Sequence, residues 1–176
     1  MKIVSYYCDI EGNKYYSDHA KRLKKQCNNL NIDSLIVERK FGKTWNENCN
    51  GKPHFIKEMF LTLKEPFIWV DVDTEVLSID FEIKGGWGLV NRSDGGVHNY
   101  VHYIDYTERN LQFINDWIDE INKGADSEHN CLIKLYQRLN YFFINDGYFE
   151  LGLAENTSMS RLRCLQKMEI RSASKK

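Results

Sequence analysis

The run Phe67-Ile68-Trp69-Val70 passes directly into Asp71-Val72-Asp73-Thr74-Glu75, and this junction constrains the rest of the chain. Four aromatic or β-branched residues in succession predict a strand buried on both faces, as in a parallel sheet covered by helices. Ionised Asp71 and Asp73 cannot stay unpaired in such a core, because removing a carboxylate from water without a partner is too costly. The strand must therefore deliver them to an edge or cleft. A hard divalent cation, Mn²⁺ or Mg²⁺, suits them, since such ions take oxygen ligands and one or two carboxylates leave room for substrate phosphates. Open α/β sheets bind ligands at the carboxyl ends of their strands, so position and chemistry coincide.

The flanking sequence supplies the rest of such a sheet. Lys2-Ile3-Val4-Ser5-Tyr6-Tyr7 reads as a first strand ending in the polar turn Asp9-Ile10-Glu11-Gly12-Asn13. Ser17 is the expected cap of a helix with Ala20, Leu23, Cys27 and Leu30 at helical spacing, and Lys21, Arg22, Lys24 and Lys25 read as its solvated side. Residues 34–37 give a second strand, completing a β-α-β start that pairs in parallel. The Asn-rich stretch 41–51 reads as a long loop. Pro53 then opens a helix with the apolar stripe Phe55, Ile56, Met59, Phe60 and Leu63, which ends before Pro66.

Beyond the D-x-D strand, Gly85 and Gly86 mark a turn into a short strand at 87–90, followed by a loop at 91–96; His98 and His102 are expected in a loop with tyrosines. Thr107 caps a helix presenting Leu111, Ile114, Trp117, Ile118 and Ile121, with Gly124 just past its end. Asp126 or Ser127 starts another, carrying Leu132, Leu135, Tyr136 and Leu139. A strand at 141–144 and a terminal helix at 159–168 complete the expectation.

With 176 residues and 42% hydrophobic content, the chain is expected to form one domain spanning 1–176. Its formal net charge is −1, yet the segment from Thr157 onward holds Arg161, Arg163, Lys167, Arg171, Lys175 and Lys176 against Glu169 alone, so the tail is basic and the body acidic. No apolar run reaches the roughly 18 residues of a membrane span, and no signal-peptide pattern opens the chain. Cys8, Cys27, Cys49, Cys131 and Cys164 lack C-x-x-C spacing and read as free thiols of a reducing, cytoplasmic setting rather than a zinc site.

A hydrophobic strand closing in D-x-D has two chemical uses. Haloacid-dehalogenase-type phosphatases follow the second Asp with a small Thr or Val two positions on; here Glu75 stands there, and no paired-Asp metal motif follows downstream. The other use is that of GT-A-type glycosyltransferases. The chain resembles these, particularly compact viral and bacterial nucleotide-diphospho-sugar transferases, over roughly residues 1–140: in the initial β-α-β unit, in Lys52-Pro53-His54-Phe55-Ile56-Lys57 opening a helix, in Trp69-Val70-Asp71-Val72-Asp73, and in Gly86-Trp87-Gly88-Leu89 as the following strand. Many such enzymes add a His near the C-terminus as a metal ligand. No His follows His129 here, so water and diphosphate, or Glu155, would complete the set.

The resemblance implies a three-layer α/β/α domain with a mostly parallel, Rossmann-like sheet. It also implies transfer of a sugar from a nucleotide-diphosphate donor to an acceptor hydroxyl, with Mn²⁺ or Mg²⁺ as cofactor. Asp73 would contact the metal directly, and Asp71 would reach it through water or hold the ribose. Tyr6 and Tyr7 could stack on the base, or pack in the core; Lys52 could meet phosphate or ribose, or be solvated at its helix end; Arg161 and Arg163, after a polar run, suit diphosphate oxygens or a plain solvated tail. An inverting reaction needs a base, and Asp126 is the first choice with Glu128 second and Asp105 third, although both helix-start carboxylates also fit a cap and a first turn. The acceptor, whether glycan, protein or nucleic acid, would bind an open groove or need a further subunit, a second copy included. A D-x-D phosphatase and a non-catalytic sugar-nucleotide-binding domain are the competing classes.

Overall fold

The computed structural model describes residues 1–9, 12–40, 42, 44–76, 86–91, 97–124 and 127–138. The expected strand at 141–144, the terminal helix at 159–168, Leu139, Asp126, Glu155, Cys164, Arg161 and Arg163 lie outside them.

Five strands form one sheet in the order β2-β1-β3-β5-β4. They are β1 (Lys2–Tyr7), β2 (Asp33–Glu38), β3 (Phe67–Val70), β4 (Trp87–Asn91) and β5 (Val97–Ile104). β1 pairs in parallel with both β2 and β3, while β5 runs antiparallel to β3 and to β4. All strands but β5 therefore point the same way, and the α/β expectation of a mostly parallel sheet holds. The segment around His98 and His102 corrects the sequence reading: it is strand, not loop. Val97, Tyr100, Val101, Tyr103 and Ile104 are β-branched or aromatic, and their fit to a pleated, half-buried surface outweighs the interspersed His and Asn.

Alternation along each strand sorts the side chains into two layers. Val4, Phe67, Trp69 and Ile104 face one core with α3 (Lys52–Leu63), α4 (Glu108–Asn122) and α5 (Glu128–Arg138). Ile3, Ile68, Val70, Val101 and Tyr103 face the other, covered by Ala20, Leu23 and Cys27 of α1 (Tyr15–Asn29). The three-layer arrangement follows from one apolar stripe per helix and two apolar faces per central strand.

Two helix starts differ from the sequence reading. Ser17 lies inside α1, whose N-cap position is Lys14; the first-turn N–H groups of Tyr16 and Ser17 are instead received by Asp9 Oδ1 at 2.9 and 3.0 Å. The stretch 41–51 is not wholly loop either, since it contains α2 (Trp45–Asn50), held by a capping box in which Thr44 accepts from the Glu47 N–H and Glu47 reaches back. The T-x-x-E signature was present in the sequence. α3 closes at Lys64, a non-glycine residue in the left-handed region (φ 54°). α4 is capped by Thr107 as expected. α5 begins after Ser127, whose Oγ accepts from the Asn130 N–H at 3.3 Å.

Candidate functional site

The site is assembled where β3 leaves the sheet. Asp71 makes the last rung, its N–H donating to the Tyr100 carbonyl at 2.7 Å, and the Thr74 N–H closes a turn onto the Asp71 carbonyl at 2.8 Å. Asp73 thus sits in a tight turn rather than in the strand. Arg22 of α1 grips that turn, donating to the carbonyls of Asp73 (3.1 Å) and Thr74 (3.5 Å) and pairing with the Glu75 carboxylate at 3.7 Å. Val72 and Val76 anchor the turn in the α1-side core. Arg22 is therefore not part of a solvated basic face, and the separation of about fifty residues from its partners left no local sign of its role.

Lys52 occupies the first position of α3, where a cation is disfavoured by the positive end of the helix dipole. Its side chain instead turns inward. The ammonium meets Asp71 Oδ1 at 2.8 Å, the Asn99 carbonyl at 2.6 Å and Glu128 Oε1 at 3.4 Å, so its three N–H bonds have three acceptors. Burial disfavours the charged ammonium, but the nearby Asp71 and Glu128 carboxylates outweigh it and hold Lys52 above the ordinary lysine range. The sequence offered phosphate, ribose or solvent at a helix end for Lys52; the structure instead gives it protein carboxylates as partners.

Glu128 reaches this point from the first turn of α5. Its Oε1 also accepts from Asn99 Nδ2 (3.2 Å), its Oε2 from the His129 N–H (2.7 Å), and its backbone N–H donates to Asn50 Oδ1 at 3.0 Å. The Trp117 indole donates to its carbonyl at 2.8 Å. Because β5 is antiparallel, it begins at the edge where β3 ends, which is how Asn99 comes beside Asp71. Sequence pattern does not single out Asn99, because the His and Asn residues around it predict a loop where the structure has β5.

Further along β5, the Asn99 Oδ1 lies 2.7 Å from His102 Nε2, and the Trp87 indole donates to His102 Nδ1 at 3.2 Å. Burial first, and the Lys52 charge second, push His102 down to about 3. It is a neutral core histidine, stacked on Trp117 at 5.5 Å between centroids.

The structure brings together Asp71, Glu128 and Lys52, with Asp73 on the adjoining turn. Tyr6 keeps the packing half of its two readings: its ring lies 5.1 Å from Phe55 and 5.4 Å from Trp69, and its hydroxyl donates to the Asn48 carbonyl. Tyr7 is at the rim, donating to Glu38 Oε2 at 3.3 Å. Asp105 belongs to the opposite edge of the sheet, since Ile104 pairs with Phe67 at the start of β3.

Asp71 and Asp73, two positions apart at the carboxyl end of a parallel strand, are oxygen donors of the kind a hard divalent cation takes. Among the described residues no group of three His, Cys, Asp or Glu side chains forms a metal cage. Two protein carboxylates completed by water and phosphate oxygens is a usual Mg²⁺ arrangement. No described helix is long and apolar enough to cross a membrane.

No family model and no curated protein matches the chain. Among solved structures it is similar to one described as the crystal structure of a glycosyltransferase involved in the glycosylation of the major capsid of PBCV-1, with a TM-score of 0.59 over 78% of this chain and 74% of that one. The likeness is one of fold. At 12% identity, the side chains are largely this chain's own. The architecture is GT-A-like.

Proposed function

We propose that this protein is a metal-dependent glycosyltransferase that moves a sugar from a nucleotide-diphosphate donor to an acceptor hydroxyl, with inversion. The observation that carries the reading is the D-x-D turn at the carboxyl end of β3, pinned by Arg22 and Lys52, in a sheet similar to that of a known glycosyltransferase. Asp73 and Asp71 would hold Mn²⁺ or Mg²⁺. When bound, the ion supplies Lewis-acid stabilisation of the departing diphosphate.

The chain's own groups supply the rest. Lys52 fixes the Asp71 carboxylate, and Arg22 fixes the turn that carries Asp73. Tyr7, at the end of β1, is the tyrosine proposed to meet the base. Arg161 and Arg163 are proposed to bind the diphosphate. Asp126 is the proposed general base with Glu128 second, one of them removing the acceptor hydroxyl's proton.

The test is a thermal-shift screen of sugar nucleotides with and without Mn²⁺, followed by calorimetry of the best donor on Asp73→Asn. Ligand at about 100 times its dissociation constant adds roughly 2.7 kcal/mol of stability. Loss of metal-dependent binding in a folded Asp73→Asn supports the reading; unchanged Mn²⁺-dependent binding ends it. Phosphate released from a simple monoester without acceptor would point to the phosphatase class instead, and donor binding without turnover on any acceptor to a binding module.

A further inference from the structure

Three of the four tryptophans donate their indole N–H into one buried polar chain. Trp69 Nε1 donates to Asp71 Oδ1 at 3.2 Å, Trp117 Nε1 to the Glu128 carbonyl, and Trp87 Nε1 to His102. An indole can only donate, so His102 carries its proton on Nε2 and gives it to Asn99 Oδ1; the Asn99 amide must then donate to Glu128. Every bond has one sense, and the chain runs from Trp87 through His102 and Asn99 to Glu128. From there it reaches Asp71 through Lys52. Asp71 and Glu128 come from elements 57 positions apart in sequence, and the Lys52 ammonium bonds to both.

We infer that Lys52 is a positioning residue that joins the Asp71 carboxylate of the D-x-D turn to the Glu128 carboxylate of α5, so that a change of charge at one is felt at the other. The inference rests on the reading above, in which Asp71 serves the donor side and the start of α5, where Glu128 is the second choice of base, serves the acceptor side. An ammonium shared by two carboxylates divides its pull between them. Neutralising Glu128 leaves Lys52 to Asp71 alone, drawing that carboxylate inward and lowering the negative charge available at the turn. Low local dielectric makes such redistribution larger than it would be in water. A shared counter-ion of this kind would let the occupancy of the donor side set the orientation of the acceptor-side carboxylate before any acceptor arrives.

The indoles provide a built-in readout. In ¹⁵N-tryptophan protein without metal, Glu128→Gln is expected to displace the Trp69 indole cross-peak, and Asp71→Asn that of Trp117. Ser127→Ala, which alters the same helix start without altering charge, is expected to leave Trp69 in place. In a Lys52→Met background the Glu128→Gln change should no longer move Trp69. A silent Trp69 in Glu128→Gln, an equal displacement in Ser127→Ala, or persistence of the effect in Lys52→Met overturns the inference. If Lys52→Met does not fold, the reciprocal pair decides: both cross-peaks must respond, and either one silent overturns it. A Mn²⁺ titration followed by electron paramagnetic resonance, with the metal alone as probe, should show Glu128→Gln binding at least about 5-fold more weakly than the native chain, the lower end of ordinary site coupling. Equal affinity overturns the coupling. A native chain that takes up no Mn²⁺ while its indoles remain coupled through Lys52 upholds this inference and overturns the metal reading instead.

Discussion

The Trp87 indole donates to His102 Nδ1 at 3.2 Å inside the core, and this bond settles the tautomer of a histidine that the helices wall off from water. A second proton, added at Nδ1, would abolish the bond and place a second positive charge near Lys52.

Acid should therefore destabilise the protein through His102. Its pKa in the unfolded chain is near the ordinary 6.5, whereas the folded value is about 3. Between those values the unfolded chain takes up a proton that the native one refuses, so stability is complete above pH 6.5 and declines as pH falls. The slope is at most about 1.4 kcal/mol per pH unit. Urea unfolding at several pH values between 7.5 and 4.5 should show it, and His102→Gln should flatten the profile.

Lys52→Met should cost about 3–5 kcal/mol, the usual penalty for leaving a buried charge without its partner. Here two carboxylates are left facing each other. Adding Glu128→Gln should recover part of the loss, because the second substitution removes the repulsion created by the first. Chemical denaturation of both variants checks the sign of that coupling.

Arg22→Met keeps much of the aliphatic stem and removes the grip on the D-x-D turn. Hydrogen bonds from a charged donor contribute about 1.5–3 kcal/mol, so a loss near the lower end is expected for a partly exposed guanidinium. Donor binding should weaken as well, since the turn carries Asp73. A variant that loses stability without losing donor affinity would show that the grip serves folding alone.

Turnover separates the two roles open to the α5 start. Removing a general base lowers turnover by about 10²–10⁴-fold, whereas a lost helix cap costs about 1 kcal/mol. Asp126→Asn removes the carboxylate while keeping size and polarity, so a large fall in its turnover assigns the base there. A large fall confined to Glu128→Gln moves the assignment to Glu128, and turnover near native in both removes both.

The β-α-β start, the buried β3 and the Thr107 and Pro53 helix starts were legible because each depends on local pattern: apolar period, a cap, a proline in the first turn. Lys52, Asp71 and Glu128 could be singled out by type and position. Their meeting could not, because it depends on β5 running backwards between β3 and β4, and β5 itself was hidden by His98, Asn99 and His102. Asn99 and His102 are tolerated in a strand because the helix-side layer answers them individually, Glu128 for Asn99 and Trp87 and Trp117 for His102. Arg22 was hidden for a different reason. Its exposed lysine neighbours set the local impression, and nothing nearby in sequence marks the turn it holds.

The sheet order also has a consequence for synthesis on the ribosome. β1 lies between β2 and β3, and β2 follows it closely, but β3 ends 63 positions after β1. At about 5–20 residues per second, one flank of β1 waits roughly 3–13 s for its second partner to emerge. During that interval its backbone donors and acceptors on that side, with Ile3 and Val4 between them, form an open edge of the kind that captures other nascent strands. Yield of native protein should therefore depend on translation speed between the codons for residues 38 and 70, a segment that contains no residue of the strand being protected.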